Sequence, residues 1–384
     1  MTLFGHRRRQ LILLCTLILT LGSVSGAWAQ EPTSTPLPPE PTLSTTPVVL
    51  TVGGTVTSGT AGVSVPAGLT LSLHVVRPGA QGTLPTEILK RDGPLGADNN
   101  FHFDNVAARP GDVVFATTSF QNVVQGSQLI SLRNGQSTLD LPITLYALTN
   151  DPSVITLIRV QHILDYKPGG LLQVLATYDY KNTSDRLYQS NTLTAKGLPV
   201  SVSVPLPIGA RAVAFNTQSI ERFSLGGDVN APIVQDTKPV LPGQTHEIVF
   251  SYQLPYAKGA PIDQDYPYNT SSIEVLIPHD IHIAILDNNF ETAPNTSINP
   301  QRTYTQYVLK SPLKAGDRLV YTLGGAAQVA TAPRPQPAAN SNTLFFAFLA
   351  AAAVTLVVAV GFVAIRRRQD NPAEASRRRS RKRA

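Results

Sequence analysis

The sequence predicts an all-β protein of two tandem β-sandwich domains on a stalk, plus one C-terminal transmembrane helix. Three observations carry this reading. Apolar and polar residues alternate at period two through the middle of the 384-residue chain, turn residues punctuate that pattern at short intervals, and an uncharged segment near the end closes in a block of arginines.

Residues 1–29 read as a secretory leader. His6-Arg7-Arg8-Arg9 precedes the apolar run Leu11 to Leu21, and Ala27-Trp28-Ala29 follows, the basic, apolar and small-x-small order of a cleavable signal. That run of eleven residues would rise only about 16 Å as a helix, against a hydrocarbon core of roughly 30 Å. The paired arginines also permit twin-arginine export, but no cofactor motif follows them. The one cysteine, Cys15, lies in the leader, and Leu14 stands before it where a lipidation site needs a small residue. The mature chain therefore has no disulfide, thiolate nucleophile or thiolate metal site. Residues 30–47 are mostly Pro, Thr, Ser and Glu, a spacer with too little apolar surface to offset chain entropy.

Residues 48–150 form the first sandwich. Leu69, Leu71, Leu73 and Val75 alternate with Thr70, Ser72 and His74, and Leu139, Leu141, Ile143 and Leu145 alternate with Asp140, Pro142 and Thr144. Further strands are expected at Val49 to Thr57, Phe101 to Phe103, Val113 to Thr117 and Leu129 to Leu132, between turns such as Pro78-Gly79, Asp98-Asn99-Asn100 and Pro110-Gly111. Three runs carry a resemblance over residues 50 to 149: Gly54-Thr55-Val56, then Pro66-Ala67-Gly68-Leu69 into Leu71-Ser72-Leu73, then Asn100-Phe101-His102-Phe103-Asp104-Asn105-Val106. Together they resemble the carboxypeptidase regulatory-like (transthyretin-like) family. Asn99 or Asn100 stands where that family has glycine before its aromatic pair. The resemblance implies a prealbumin-like sandwich used as an accessory or binding module, with no catalytic residues to carry over.

Residues 151–325 form a second sandwich, expected to be immunoglobulin-like. Its strands are expected at Val154 to Leu164, Leu171 to Tyr180, Val200 to Val204, Glu247 to Leu254, Ser272 to Leu286 with a break at Pro278, Tyr304 to Leu309 and Arg318 to Leu323. No ten-residue stretch here keeps a helical apolar stripe together with caps.

Residues 326–342 are a Pro- and Ala-rich stalk, whose Pro333, Pro335 and Pro337 are expected to hold the folded part away from the lipid surface by semi-rigid extension. Thr343 to Ile365 carries no charge and, at 1.5 Å per helical residue, is long enough to cross a bilayer. The tail, residues 366–384, opens with Arg366-Arg367-Arg368 and holds nine basic residues against Asp370 and Glu374, which places it in the cytoplasm. A temporary sorting signal is disfavoured, because the tail runs on past its first arginines and no LPxTG precedes the helix. With the leader and tail set aside, nineteen of the 31 basic residues face 23 acidic ones. The mature ectodomain is mildly acidic, and no nucleic-acid partner is expected.

The candidate ligand-binding surface is a loop spanning Ala260 to Ser272 and its flank, with Tyr252, Tyr256, Tyr266 and Tyr268 beside Asp263 and Asp265. Tyrosines with nearby carboxylates stack on and hydrogen-bond a sugar or peptide. Asp263, Asp265 and Asn269 also offer oxygen ligands, but the glycine and closing carboxylate of a calcium loop are absent. His279 and His282 read as strand positions three apart, pointing to opposite sides, so no metal site is assigned to them. His162, His246 and His279 are available for a triad, yet there is no G-x-S-x-G, no H-E-x-x-H and no phosphate-cradling loop. No catalytic residue and no cofactor are expected. The expectation is a single-pass protein of the bacterial cell membrane, its ectodomain extracellular or periplasmic, binding an envelope polymer or a membrane protein. The alternative is an exported hydrolase or metal-dependent enzyme with a site assembled from loops of the second sandwich.

Overall fold

Alternating apolar residues do become strands. The computed structural model describes residues 46–79, 85–215, 220–299 and 302–329. The leader, the spacer through residue 45, the stalk from residue 330, Thr343–Ile365 and the tail lie outside them. Among the described residues no helix is long and apolar enough to cross a membrane.

The first sandwich contains β1 (Val48–Ser58), β2 (Thr70–Arg77), β3 (Thr86–Pro94), β4 (Asn100–Ala108), β5 (Val113–Phe120), β6 (Val123–Gly126), β7 (Ile130–Ser131), β8 (Thr138–Asp140) and β9 (Ile143–Leu145). One sheet runs β4-β1-β8, with β9 also on β1; the other runs β3-β2-β5-β6, with β7 on β5. Both sheets feed one core, in which Val52, Leu71, Leu73, Val114, Phe101 and Phe103 are buried. The run Leu139 to Leu145, expected as one strand, is two. Leu141 N–H donates to Gly53 O at 2.7 Å, and Pro142 has no N–H to continue the ladder. Both pieces pair in parallel with β1, Val52 opposite Leu139 and Val56 opposite Ile143. Asn99 takes φ 62°, a left-handed turn conformation that asparagine tolerates.

Gly54 is where the split strand comes closest. A Cβ there would lie 2.5 Å from Leu141 O and 2.9 Å from the Phe101 ring. Gly54→Ala is therefore expected to destabilise the first sandwich by about 1–3 kcal/mol, as overpacking does. A denaturant midpoint unmoved from wild type would contradict this packing.

Two short strands, β10 (Leu148–Thr149) and β13 (Leu187–Tyr188), pair in parallel and join the sandwiches, which belong to one compact unit. Thr60 is buried in this joint, its hydroxyl donating to Asp185 O at 2.7 Å and accepting from Ala147 N–H at 3.0 Å.

The second sandwich begins with β11 (Ile155–Lys167) and β12 (Leu171–Asn182) and continues with β14 (Val202–Pro205), β15 (Arg211–Phe215), β16 (Phe223–Asp228), β17 (Ala231–Asp236) and β18 (Thr245–Pro255). It ends with β19 (Pro261–Tyr266), β20 (Asn269–Thr270), β21 (Ile273–Pro278), β22 (Ala284–Ile285), β23 (Phe290–Asn299), β24 (Arg302–Leu309) and β25 (Asp317–Gly324). An eight-stranded sheet, β15-β18-β12-β11-β21-β24-β23 with β20 also on β11, is faced by two three-stranded sheets, β14-β17-β16 and β19-β25-β22. Val202, Val234, Tyr178, Phe250, Tyr321 and Leu323 bring all three sheets into one core. Parallel pairing of β11 with β20 and β21 departs from the expected immunoglobulin-like arrangement, whose sheets are antiparallel. The expected strands are present, but β15, β16, β17, β19 and β23 were not anticipated.

Candidate functional site

The expected tyrosine and carboxylate surface does not form as one surface. Ala260 to Ser272 is not a loop: Pro261–Tyr266 is β19, paired along its length with β25. Strand parity then separates the two chemistries. Gln264 and Tyr266 point into the core and Asp263 and Asp265 point outward. Tyr252, Tyr266 and Tyr268 are buried in the core. Tyr256 is half-buried, edge-on to Tyr166, and its hydroxyl donates to Gly325 O at 3.1 Å. Asp263 is held by both Arg318 nitrogens, Nε at 2.5 Å, and the bond from Arg318 keeps its carboxyl below the usual range. Asp265 is exposed.

The buried tyrosines instead build a polar seam inside the core. Gln264 Nε2 donates to the Tyr178 hydroxyl and to Pro205 O, both at 2.8 Å, and His162 Nε2 lies 3.0 Å from the same hydroxyl. Tyr268 OH accepts from Ser203 N–H at 3.3 Å, tying β19's continuation to β14. His162 is 2 % exposed, and burial pushes its pKa down to about 4. The ring is therefore neutral at pH 7, a packing and hydrogen-bonding element.

A second polar cluster lies at the end of the sandwich nearer the joint, and no sequence motif announced it. Asp236, at the end of β17, is fully buried. Arg222 grips it through Nε at 2.7 Å and through Nη2, His246 Nε2 lies 2.6 Å away, and Lys238 N–H donates at 2.9 Å. We assign the Nε2 proton to the short bond with the carboxylate, which leaves Arg222 Nη2, 2.9 Å from the same nitrogen, as a cationic neighbour of the ring. Burial pushes the Asp236 carboxyl up, but the bonds from His246 and Arg222 outweigh it and hold the group below its ordinary value. Burial lowers His246 despite the opposing pull of Asp236. Glu247 is raised by burial and then by Asp179, which faces it across β12 and β18.

Arg222, Lys238, Gln244, Thr245, His246 and Glu247 line a cavity of about 60 Å³, room for a few waters rather than a substrate. A histidine bonded to a carboxylate can orient a base for a nucleophile. Ser201, whose N–H donates to Asp236 O, has an Oγ that is buried and without a hydrogen-bond partner among the described residues. His246-Glu247 has Phe250 where a zinc helix would place its second histidine, and it lies on a strand. The arrangement holds Asp236 inside the fold beside a small polar pocket.

The expected break at Pro278 is a bend: His279–Ile281 is a 3₁₀ turn and His282 follows in the left-handed region at φ 53°. Among the described residues no group of three or more His, Cys, Asp or Glu is placed to hold a metal ion. Asn182, which opens the sequence Asn182-Thr183-Ser184, is buried, its amide donating to Arg186 O at 2.6 Å and Val240 O at 3.0 Å.

No family model matches the chain, and no curated protein matches it. Among solved structures it is similar to an M1 zinc metallopeptidase from Deinococcus radiodurans, at 14% identity over 49% of this chain and 51% of that one, with a TM-score of 0.26. It is also similar to the major pilin SpaA of Corynebacterium diphtheriae, at 14% identity over 56% of this chain and 61% of that one, with a TM-score of 0.20. The chain spans less than two thirds of the length of either. Likenesses this partial assign neither activity nor partner.

Proposed function

We propose that this chain is a single-pass, non-catalytic protein of the bacterial cell envelope, whose sandwiches stand on the exported side and engage an envelope polymer or a partner protein. The observation that carries this reading is the uncharged stretch Thr343 to Ile365 followed at once by Arg366-Arg367-Arg368, the pattern of a membrane span with its cytoplasmic end marked. Two hydrophobic cores without a disulfide, joined through β10 and β13, support a stiff structural module. The first sandwich is proposed to be a carboxypeptidase regulatory-like accessory module, on the sequence runs that resemble that family. The enzyme alternative would need histidines converging with carboxylates, and His246 is the single histidine lining the cavity.

A membrane-impermeant lysine reagent tests the topology. In intact cells, or in spheroplasts if an outer membrane intervenes, exposed Lys90 on the first sandwich is expected to be labelled, and Lys382 only after lysis. Labelling of Lys382 without lysis overturns the reading.

A further inference from the structure

Strand register sorts the second sandwich into two ends. At the joint end lie Asn182, which pairs with Ile155, and Thr245, which pairs with Lys181. At the far end lie the turn between Lys167 and Leu171, the turn after Pro255, and the exit of β25. Hydrogen bonds knit this far end together: Tyr256 N–H to Gly170 O at 2.8 Å, Gly259 N–H to Leu323 O at 2.9 Å, and Gln328 N–H to Ile281 O at 3.0 Å. The chain thus leaves the described fold, at Val329, on the end opposite the first sandwich. From there 13 residues, 330–342, separate it from Thr343, and covalent geometry limits their reach to about 45 Å. The 13 residues of β11 put the joint roughly 43 Å farther off.

That far end carries two adjacent apolar prongs. Gly209 N–H donates to Asn230 O at 2.8 Å, setting Ile208 beside Val229 on neighbouring loops. They are 64 % and 89 % exposed, and Val229 is the most exposed large apolar side chain among the described residues. The prongs are held in shape by positive-φ turns at Gly209 and Gly227, and a Cβ on Gly227 would lie 2.5 Å from Ala231 O. Lys258 and Arg211 are exposed nearby and form no ion pair among the described residues. Of the acidic groups at this end, Asp165 is paired with Lys167 and Arg302, and Asp280 with Arg302; Asp228, at the hairpin tip, is exposed.

We propose that this end rests on the bilayer that anchors the chain, Ile208 and Val229 dipping into the headgroup region and Lys258 and Arg211 facing anionic headgroups. The inference rests on the anchored reading above and departs from the stand-off expected of the stalk, because about 45 Å is the limit of the tether's reach and not its required span. It makes the second sandwich a membrane-seated base and holds the first sandwich out, away from the lipid.

The chain's single tryptophan, Trp28, lies in the expected leader, so a tryptophan introduced into the mature chain reports alone. The full mature chain carrying Val229→Trp is reconstituted into phosphatidylcholine and phosphatidylglycerol vesicles containing brominated acyl chains. Val124→Trp, at a residue 69 % exposed on the first sandwich, is the control. Both sites are exposed, so neither substitution disturbs a core. Expected is a blue-shifted emission for Val229→Trp, quenched at least twofold more than the control. Equal quenching while both proteins float with the vesicles overturns this inference and leaves the anchored reading standing. Loss of flotation overturns the anchored reading and this inference with it.

Discussion

Arg222→Ala is expected to destabilise the second sandwich by about 3–5 kcal/mol at pH 8, the size of effect seen when one partner of a buried ion pair is removed. Asp236 has no exposure of its own, and Arg222 supplies two of its bonds as well as a third to Glu247 O at 3.2 Å. The loss should shrink at pH 5. Arg222 is among the groups that lower His246, so without it His246 takes a proton more readily and pairs with Asp236. Burial, the largest cause, holds wild-type His246 below its unfolded value of about 6.5, so its contribution is complete above that value and is lost as pH falls; the variant, with one lowering cause removed, loses less over the same range. Denaturant unfolding of the variant at both pH values checks this. A penalty identical at pH 5 and pH 8 would show that His246 does not take over.

His162 should also make the fold acid-sensitive. Its folded pKa of about 4 lies below the unfolded value of about 6.5, so the unfolded chain binds the proton first. Stability from the neutral ring is complete above pH 6.5, falls as pH drops toward 4, and the deficit then levels off at about 3 kcal/mol. His246 and Asp236 titrate nearby, so the informative quantity is a difference between proteins. In His162→Gln an amide that does not titrate replaces the ring, whose Nε2 lies 3.0 Å from the Tyr178 hydroxyl. Between pH 7 and pH 4 wild type should lose about 3 kcal/mol more than this variant. Parallel stability curves would refute the role given to His162.

Strands with one buried face were legible in the sequence, because burial on one side writes a period of two. Leu71, Leu73 and Val75 are buried as read, as are Val202 and Val204. Edge strands were not legible: β3 is mostly exposed on both faces and β15 nearly so, so neither carries an apolar stripe. The candidate surface failed at parity. Asp263-Gln264-Asp265-Tyr266 already contained the alternation that sends aspartates out and the tyrosine in, but the prolines flanking it read as loop. The Arg222, Asp236 and His246 cluster was invisible because its members come from a 3₁₀ turn and two strands that meet only in space.

The parallel seam between β11 and β21 sets an order of events during synthesis. Gln161 reaches Glu274, a partner 113 residues later in the chain. At about 5–20 residues per second, the flank of β11 waits roughly 6–20 s for its neighbour to be made. The first sandwich draws β1's partners from within residues 100–145, so it can close while its neighbour is still incomplete. Long-range pairing of this kind is slow, and the interval leaves an apolar strand edge open to pairing with another copy. Refolding yield should accordingly be limited by the second sandwich and fall with protein concentration.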